Sequence, residues 1–201
     1  NPKEQLKGKL NMQSTIEFEF REHLKTAQAT LKYIADPLEI AANLCINSLQ
    51  NGGKILLCGN GGSAADAQHI AAEFVGRFML ERKSYPAISL TTDSSILTSL
   101  GNDYSYDVIF SRQCESIVLE GDVVIGISTS GNSKNVEKGI KMSKSKGAIT
   151  IGLLGNGGGN IKKIVDISLE APSTNTAKIQ EIHRVVYHII CKRVEEEIAK
   201  N

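Results

Sequence analysis

Lys54-Ile55-Leu56-Leu57-Cys58-Gly59-Asn60-Gly61-Gly62-Ser63 is the stretch on which the fold turns. A short apolar run ends in a glycine-rich turn, and Ala64–Phe78 after it has helical spacing. Apolar residues that are continuous rather than alternating predict a parallel strand covered on both faces. The order of run, turn and helical stretch recurs at Pro86–Leu90, Asp122–Ile127, Ala148–Leu153 and Val165–Leu169. Strands alternating with helices need right-handed crossovers, which predicts an α/β fold with a doubly wound, five-stranded parallel sheet. Ligands of such sheets sit outside the carboxyl ends of the strands, where the strand order reverses. The residues just after the strands are therefore the ones to read for function.

Upstream, the apolar residues of Ser14–Ala35 fall at helical spacing, with Phe18, Leu24, Ala27, Leu31 and Ile34 as the expected buried stripe. Asp36-Pro37 reads as the start of a second helix, with Asp36 as N-cap and Pro37 in the first helical position. That helix should reach about Gln50 and stop at Asn51-Gly52-Gly53. Two helices before the first strand exceed what a minimal α/β unit needs, and they are expected to pack across a subunit interface. Downstream, Thr176–Ala199 predicts a long C-terminal helix. The expected layout is a single domain over residues 1–201, with N-terminal helices at about 14–50, an α/β core at about 54–170 and the last helix at about 173–200. Met12 is a candidate natural start, which would make residues 1–11 a leader.

Composition excludes several classes. Apolar residues make up 41% and charged residues 22% of the 201, ordinary usage for a globular chain, so disorder and fibrous structure are out. A net charge of +1 provides no general attraction to nucleic acid or to an anionic membrane, and any anion must be caught locally. Cys45, Cys58, Cys114 and Cys191 are widely spaced, without a Cys-x-x-Cys pair, which predicts a reducing, cytoplasmic setting rather than a disulfide framework or zinc finger. The polar, lysine-rich first residues do not form a signal peptide, and no later apolar run is long enough to span a bilayer.

Two loops have the chemistry of anion cradles. In Gly59-Asn60-Gly61-Gly62-Ser63 the glycines allow close backbone approach, and the helix that follows offers unpaired N–H groups at its positive end. Alone, this loop fits a tight turn that binds nothing equally well. Gly59-x-Gly61-x-x-Ala64 also fits a loose dinucleotide fingerprint, but the acidic residue needed about 20 positions on is misplaced, because Asp93 is too far and Glu81 precedes the second strand. A P-loop is excluded by the missing Gly-Lys-Ser/Thr. The second loop, Ile127-Ser128-Thr129-Ser130-Gly131-Asn132-Ser133, puts four hydroxyls at a helix start. One suffices for an N-cap, so the surplus favours phosphate binding without an arginine.

A third group lies on helices. His69 and Glu73 stand four apart and share a face. In the last helix Gln180, Arg184 and His188 step by four, so Gln180 and His188 can converge on one site, with His183 nearby. Singly, each histidine is as well explained as a surface or capped residue, and His69–Glu73 as a simple ion pair. Together they have the parts for moving a carbonyl between adjacent carbons of a sugar: a base to take a proton from carbon and an acid to serve the oxygens. Two His, a Glu and a Gln also make a nitrogen and oxygen donor set that zinc accepts.

Gly59-Asn60-Gly61-Gly62-Ser63, Ile127–Ser133 and Ile179-Gln180-Glu181-Ile182-His183 together resemble the phosphoheptose isomerase family, whose members have a sugar-isomerase (SIS) fold with flavodoxin-like strand order. Asp66-Ala67-Gln68-His69, Gly76-Arg77, Gly101-Asn102-Asp103 and Ile109-Phe110-Ser111-Arg112 extend the likeness over nearly the whole chain. The resemblance implies conversion of sedoheptulose 7-phosphate to D-glycero-D-manno-heptose 7-phosphate, the entry to bacterial heptose synthesis, by a homotetramer with active sites between subunits. It implies Glu73 as base and His188 as its partner acid. Asn60, Gly61, Gly62, Ser63, Glu73, Asn102, Asp103, Ser128, Thr129, Ser130, Ser133 and Gln180 would hold substrate. His69, Glu73, Gln180 and His188 match the family's zinc ligands, one ion per subunit, in tension with a basic Glu73 because a carboxylate on zinc is a weaker base. Ala177 departs from the family, where an acidic residue is common; if that carboxylate orients the histidine, Glu181 or Asp66 is the expected substitute here. The competing readings are a related SIS tetramer that binds a replication initiator without chemistry, and a sugar-phosphate sensor. The first lacks counterparts of Glu73 and His188, and the second usually carries a DNA-binding segment of which no signal is found here.

Overall fold

A computed structural model describes residues 2–199 of the chain, and its side chains from Met12 onward. Helices α1 (Pro2–Leu31) and α2 (Ala35–Gln50) precede β1 (Ile55–Gly59), α3 (Gly62–Val75), β2 (Ala87–Ser89), α4 (Ser94–Asp103), a 3-10 turn at Tyr106–Val108 and α5 (Ile109–Ile117). Then come β3 (Val123–Ser128), α6 (Lys134–Ser145), β4 (Ile149–Gly155), a second 3-10 turn at Asn156–Gly158, α7 (Gly159–Lys162), β5 (Ile167–Ala171) and α8 (Thr176–Ile198). The strands form one parallel sheet in the order β2-β1-β3-β4-β5. β1 pairs with β2 through Ile55↔Ala87 and with β3 through Ile55↔Val123, so the order reverses at β1/β3.

Alternation along β1 explains the layers. Ile55 and Leu57 point into a core with α2, α3 and α8, where Leu38, Phe74, Ile182, Val186 and Tyr187 are buried. Leu56 and Cys58 point the other way, against Ile109, Phe110, Val136 and Ile140 of α5 and α6. Burying a side chain of this size contributes about 1.5–3 kcal/mol, which is why strands so short hold their places between two helical layers.

The N-terminal helices differ from expectation in three respects. Helix α1 begins at Pro2 rather than Ser14, and Lys3, Glu4, Gln5, Lys7 and Lys9 are good helix formers. Of the expected stripe, Ile34 is buried and Ala27 half-buried, but Phe18, Leu24 and Leu31 are exposed. Among the described residues, α1 thus presents exposed Phe18, Leu24 and Leu31 within the protomer. Asp36 is not an N-cap: α2 starts at Ala35, because Leu38 N already donates to Ile34 O at 2.9 Å. Pro37 is tolerated in the first turn, where a missing N–H costs little. Helix α3 ends at Val75, short of the Phe78 expected from spacing, since Arg82 Nη1 and Nη2 take the carbonyls of Phe74 and Glu73 at 2.8 Å each and Nη1 takes that of Gly76 at 2.9 Å. Among the described residues no helix is long and apolar enough to cross a membrane.

Candidate active site

The carboxyl ends of β1 and β3 bring the two loops together. Asn60 Nδ2 donates to Asn135 Oδ1, and Asn135 Nδ2 returns a bond to Asn60 Oδ1, both at 2.8 Å. Tyr106 OH also donates to Asn60 Oδ1 at 3.1 Å. Asn60 is left with one free N–H, so much of its side chain serves to tie the loops. At the start of α3 a Cβ on Gly62 would collide with the Gln180 amide, so glycine lets α8 press its glutamine onto this loop.

In the serine loop the hydroxyls bond to each other. Ser128 Oγ lies 2.9 Å from Ser133 Oγ and 3.4 Å from Ser130 Oγ. Gly131 N donates to Ser128 Oγ at 3.1 Å and Asn132 N to Ser130 Oγ at 3.2 Å. Ser133 occupies the N-cap of α6, yet its side chain caps nothing. Capping therefore does not explain this serine, and a ring of hydroxyls at a helix start matches what a phosphate requires. Gly131 has φ of +66°, and a Cβ there would run into the backbone of Gly158, so the turn requires glycine.

The third group sits where α3 faces α8. His69 Nε2 lies 2.9 Å from Glu73 Oε1, and His188 Nε2 lies 3.3 Å from His69 Nε2. One ligand atom from each of the three falls within 4.8 Å of the others. The His188 ring stacks on Phe78, with centroids 5.6 Å apart, and meets Tyr187 edge-on at 4.7 Å. Desolvation, with His69 beside it, pushes the His188 imidazole below its ordinary range, which favours the neutral form. The group is open to solvent, its His69 side chain being 41% and its Glu73 side chain 22% exposed.

The SIS domain profile matches residues 19–155. The phosphoheptose isomerase of Aliarcobacter butzleri is 49% identical over 188 residues, covering 94% of this chain and 100% of its own. The chain belongs to the phosphoheptose isomerase family. The solved phosphoheptose isomerase of Neisseria gonorrhoeae superposes with a TM-score of 0.87 at 42% identity, over 92% of this chain and 99% of that one. That of Francisella tularensis gives 0.89 at 33% identity, over 92% and 98%.

The structure distributes the family's positions unevenly. His69, Glu73 and His188 come together, and the Gln180 amide lies against Gly62 at the start of the same helix, α3. Gly61 and Ser63 flank that contact, and Thr129 is half-buried between the serines. Asn102 donates to Asp103 Oδ1 at 2.8 Å on the exposed end of α4, and among the described residues no hydrogen bond ties this pair to either loop. Neither expected substitute for an acidic residue at Ala177 bonds to His188. Asp66 accepts from Arg184 at 3.1 Å and from Tyr187 at 3.2 Å, and Glu181 lies 2.8 Å from His23 Nδ1. Phe78, Tyr187 and His69 surround the ring instead. His183 is a core residue, buried with its Nε2 donating to Leu154 O at 2.9 Å. Sequence reasoning missed Asn135, Tyr106 and Phe78. The Asn135 amide alone had a signal, lying two residues past the last serine of the loop.

The donor set fits zinc in kind: two imidazoles and a carboxylate on facing helices, close enough to share one ion, are a common three-ligand arrangement.

Proposed function

We propose that this chain isomerises sedoheptulose 7-phosphate to D-glycero-D-manno-heptose 7-phosphate. The observation that carries the reading is Glu73 on α3, 2.9 Å from His69 Nε2, which in turn lies 3.3 Å from His188 Nε2. Glu73 takes a proton from C1 of the ketose and, exchanging it with water in some turnovers, gives one to C2, through an enediol. His188 moves the proton between the two oxygens; a neutral imidazole can donate from one nitrogen and accept at the other. The serine loop holds the phosphate at the far end of the sugar, contributing binding shared by ground and transition state. His69, Glu73 and His188 would hold a zinc ion, with Gln180 the fourth family position, and the ion when bound would supply Lewis-acid polarisation of the carbonyl.

The active assembly is a homotetramer whose sites form between subunits. Support comes from exposed Phe18, Phe20, Leu24 and Leu31 on α1, and from exposed Val185 and Ile189 on either side of His188. Four free, buried cysteines suit a reducing cytoplasm. A replication adaptor or sugar-phosphate sensor would need the cradle but not the Glu73–His188 pair, and this favours the enzyme. Glu73→Gln tests the reading: sedoheptulose 7-phosphate should still bind by calorimetry while turnover falls by about 10²-fold or more. Wild-type turnover in that variant would remove the proposed base.

A further inference from the structure

The buried ion pair Arg82–Glu195 touches neither loop nor the histidines, and the reaction as described makes no use of it. Its side chains are 4% and 2% exposed, with Arg82 Nε 3.2 Å from Glu195 Oε1. Glu195 also accepts from Phe78 N at 3.0 Å, Met79 N at 2.7 Å and Leu80 N at 2.8 Å. Arg82 lies over the Tyr85 ring at 4.0 Å, and its Nη2 donates to the carbonyl of Glu73 itself. So one end of the pair grips the last turn of α3 at the residue proposed as base. The other end grips the backbone of Phe78, whose ring stacks on His188. Glu195 follows His188 by about two turns of α8, on the same face. A loop could be anchored by fewer bonds elsewhere; these bonds end on both halves of the proposed acid–base pair.

We infer that Arg82 and Glu195 are positioning residues, a clamp that sets the separation of Glu73 and His188 through Phe78. This rests on the isomerase reading, and Glu73→Gln in the same assay tests that reading separately. The experiment is steady-state kinetics on Arg82→Lys, Glu195→Gln and Phe78→Leu in the full chain with sedoheptulose 7-phosphate. Asp122→Asn serves as a control: Asp122 is buried, pairs with Lys54 at 2.7 Å and lies at the opposite end of the sheet. Misplacing a reacting group by about 1 Å costs on the order of 10²-fold. The clamp variants should therefore lose about 10- to 100-fold in kcat with KM within threefold, because the serine loop is untouched. Asp122→Asn should keep its kcat even where its melting temperature falls as far. The inference is overturned if the clamp variants keep wild-type kcat, if the loss is in KM alone, or if the control loses kcat in proportion to stability. Should Arg82→Lys and Glu195→Gln fail to fold, Phe78→Leu decides: a kcat loss at unchanged KM supports the clamp, and wild-type kcat overturns it.

Discussion

His183 and His188 occupy one helix, and their surroundings send them to different tasks. His183 faces β4; a carbonyl can only accept, so the Leu154 bond fixes the proton on Nε2 and leaves Nδ1 buried without a partner. Burial holds its folded pKa below the ordinary value near 6.5. The unfolded chain then takes up this proton first as pH falls, so stability drops from about pH 6.5 down toward the folded value. We expect the urea midpoint of wild type to fall between pH 7.5 and 5 more steeply than that of His183→Gln, which keeps a donor for Leu154 but cannot titrate. Equal slopes would show that His183 does not titrate between the states. The sequence placed His69 and Glu73 on one face because helical spacing is local. It could not place Phe78 against His188, since that contact depends on where the chain goes after α3 ends. Nor could it show that the Gln180 amide presses on Gly62 at the start of α3, a contact that needs α8 folded against the first loop.

Loops and strands were legible at the scale of the element. Continuous apolar runs identify the strands, and all five lie within two residues of expectation at their starts; β1 and β3 are buried on both faces, whereas at the sheet edge β2 leaves Ile88 exposed. The surplus of hydroxyls at the start of α6 was legible as a local pattern, and Ser133 makes no cap bond. Ser130→Ala with Ser133→Ala should raise KM for the sugar phosphate by about 10-fold or more while leaving kcat nearly unchanged, as expected for uniform binding. An unchanged KM would put the phosphate elsewhere. Asn135 was less legible: its partner Asn60 lies on another strand's loop, and only the reversal of strand order makes them neighbours. Asn135→Leu leaves the Asn60 amide without its two bonds to Asn135 and with only the one from Tyr106. It should cost about 1–3 kcal/mol, read from denaturant unfolding, and raise KM as the loops part.

For the whole molecule, the misread stripe of α1 has a physical reason. Amphipathic spacing predicts that a helix face will be buried, not in which chain its partner lies. Phe20 is 68% and Leu24 56% exposed in the protomer, and a tetramer would cover them for about 1.5–3 kcal/mol each. Phe20→Glu with Leu24→Glu should split the assembly in sedimentation velocity and abolish turnover; an intact tetramer would assign these residues another role. The proposed reaction depends on proton transfer between neighbouring carbons, which NMR of the zinc-supplied protein with sedoheptulose 7-phosphate in D2O reads out. An aldose heptose 7-phosphate should appear and gain deuterium at C2 over repeated turnovers, with neither aldose nor exchange in Glu73→Gln. No aldose from the intact wild-type protein, or an aldose that stays fully protiated at C2, would contradict the proposed reaction.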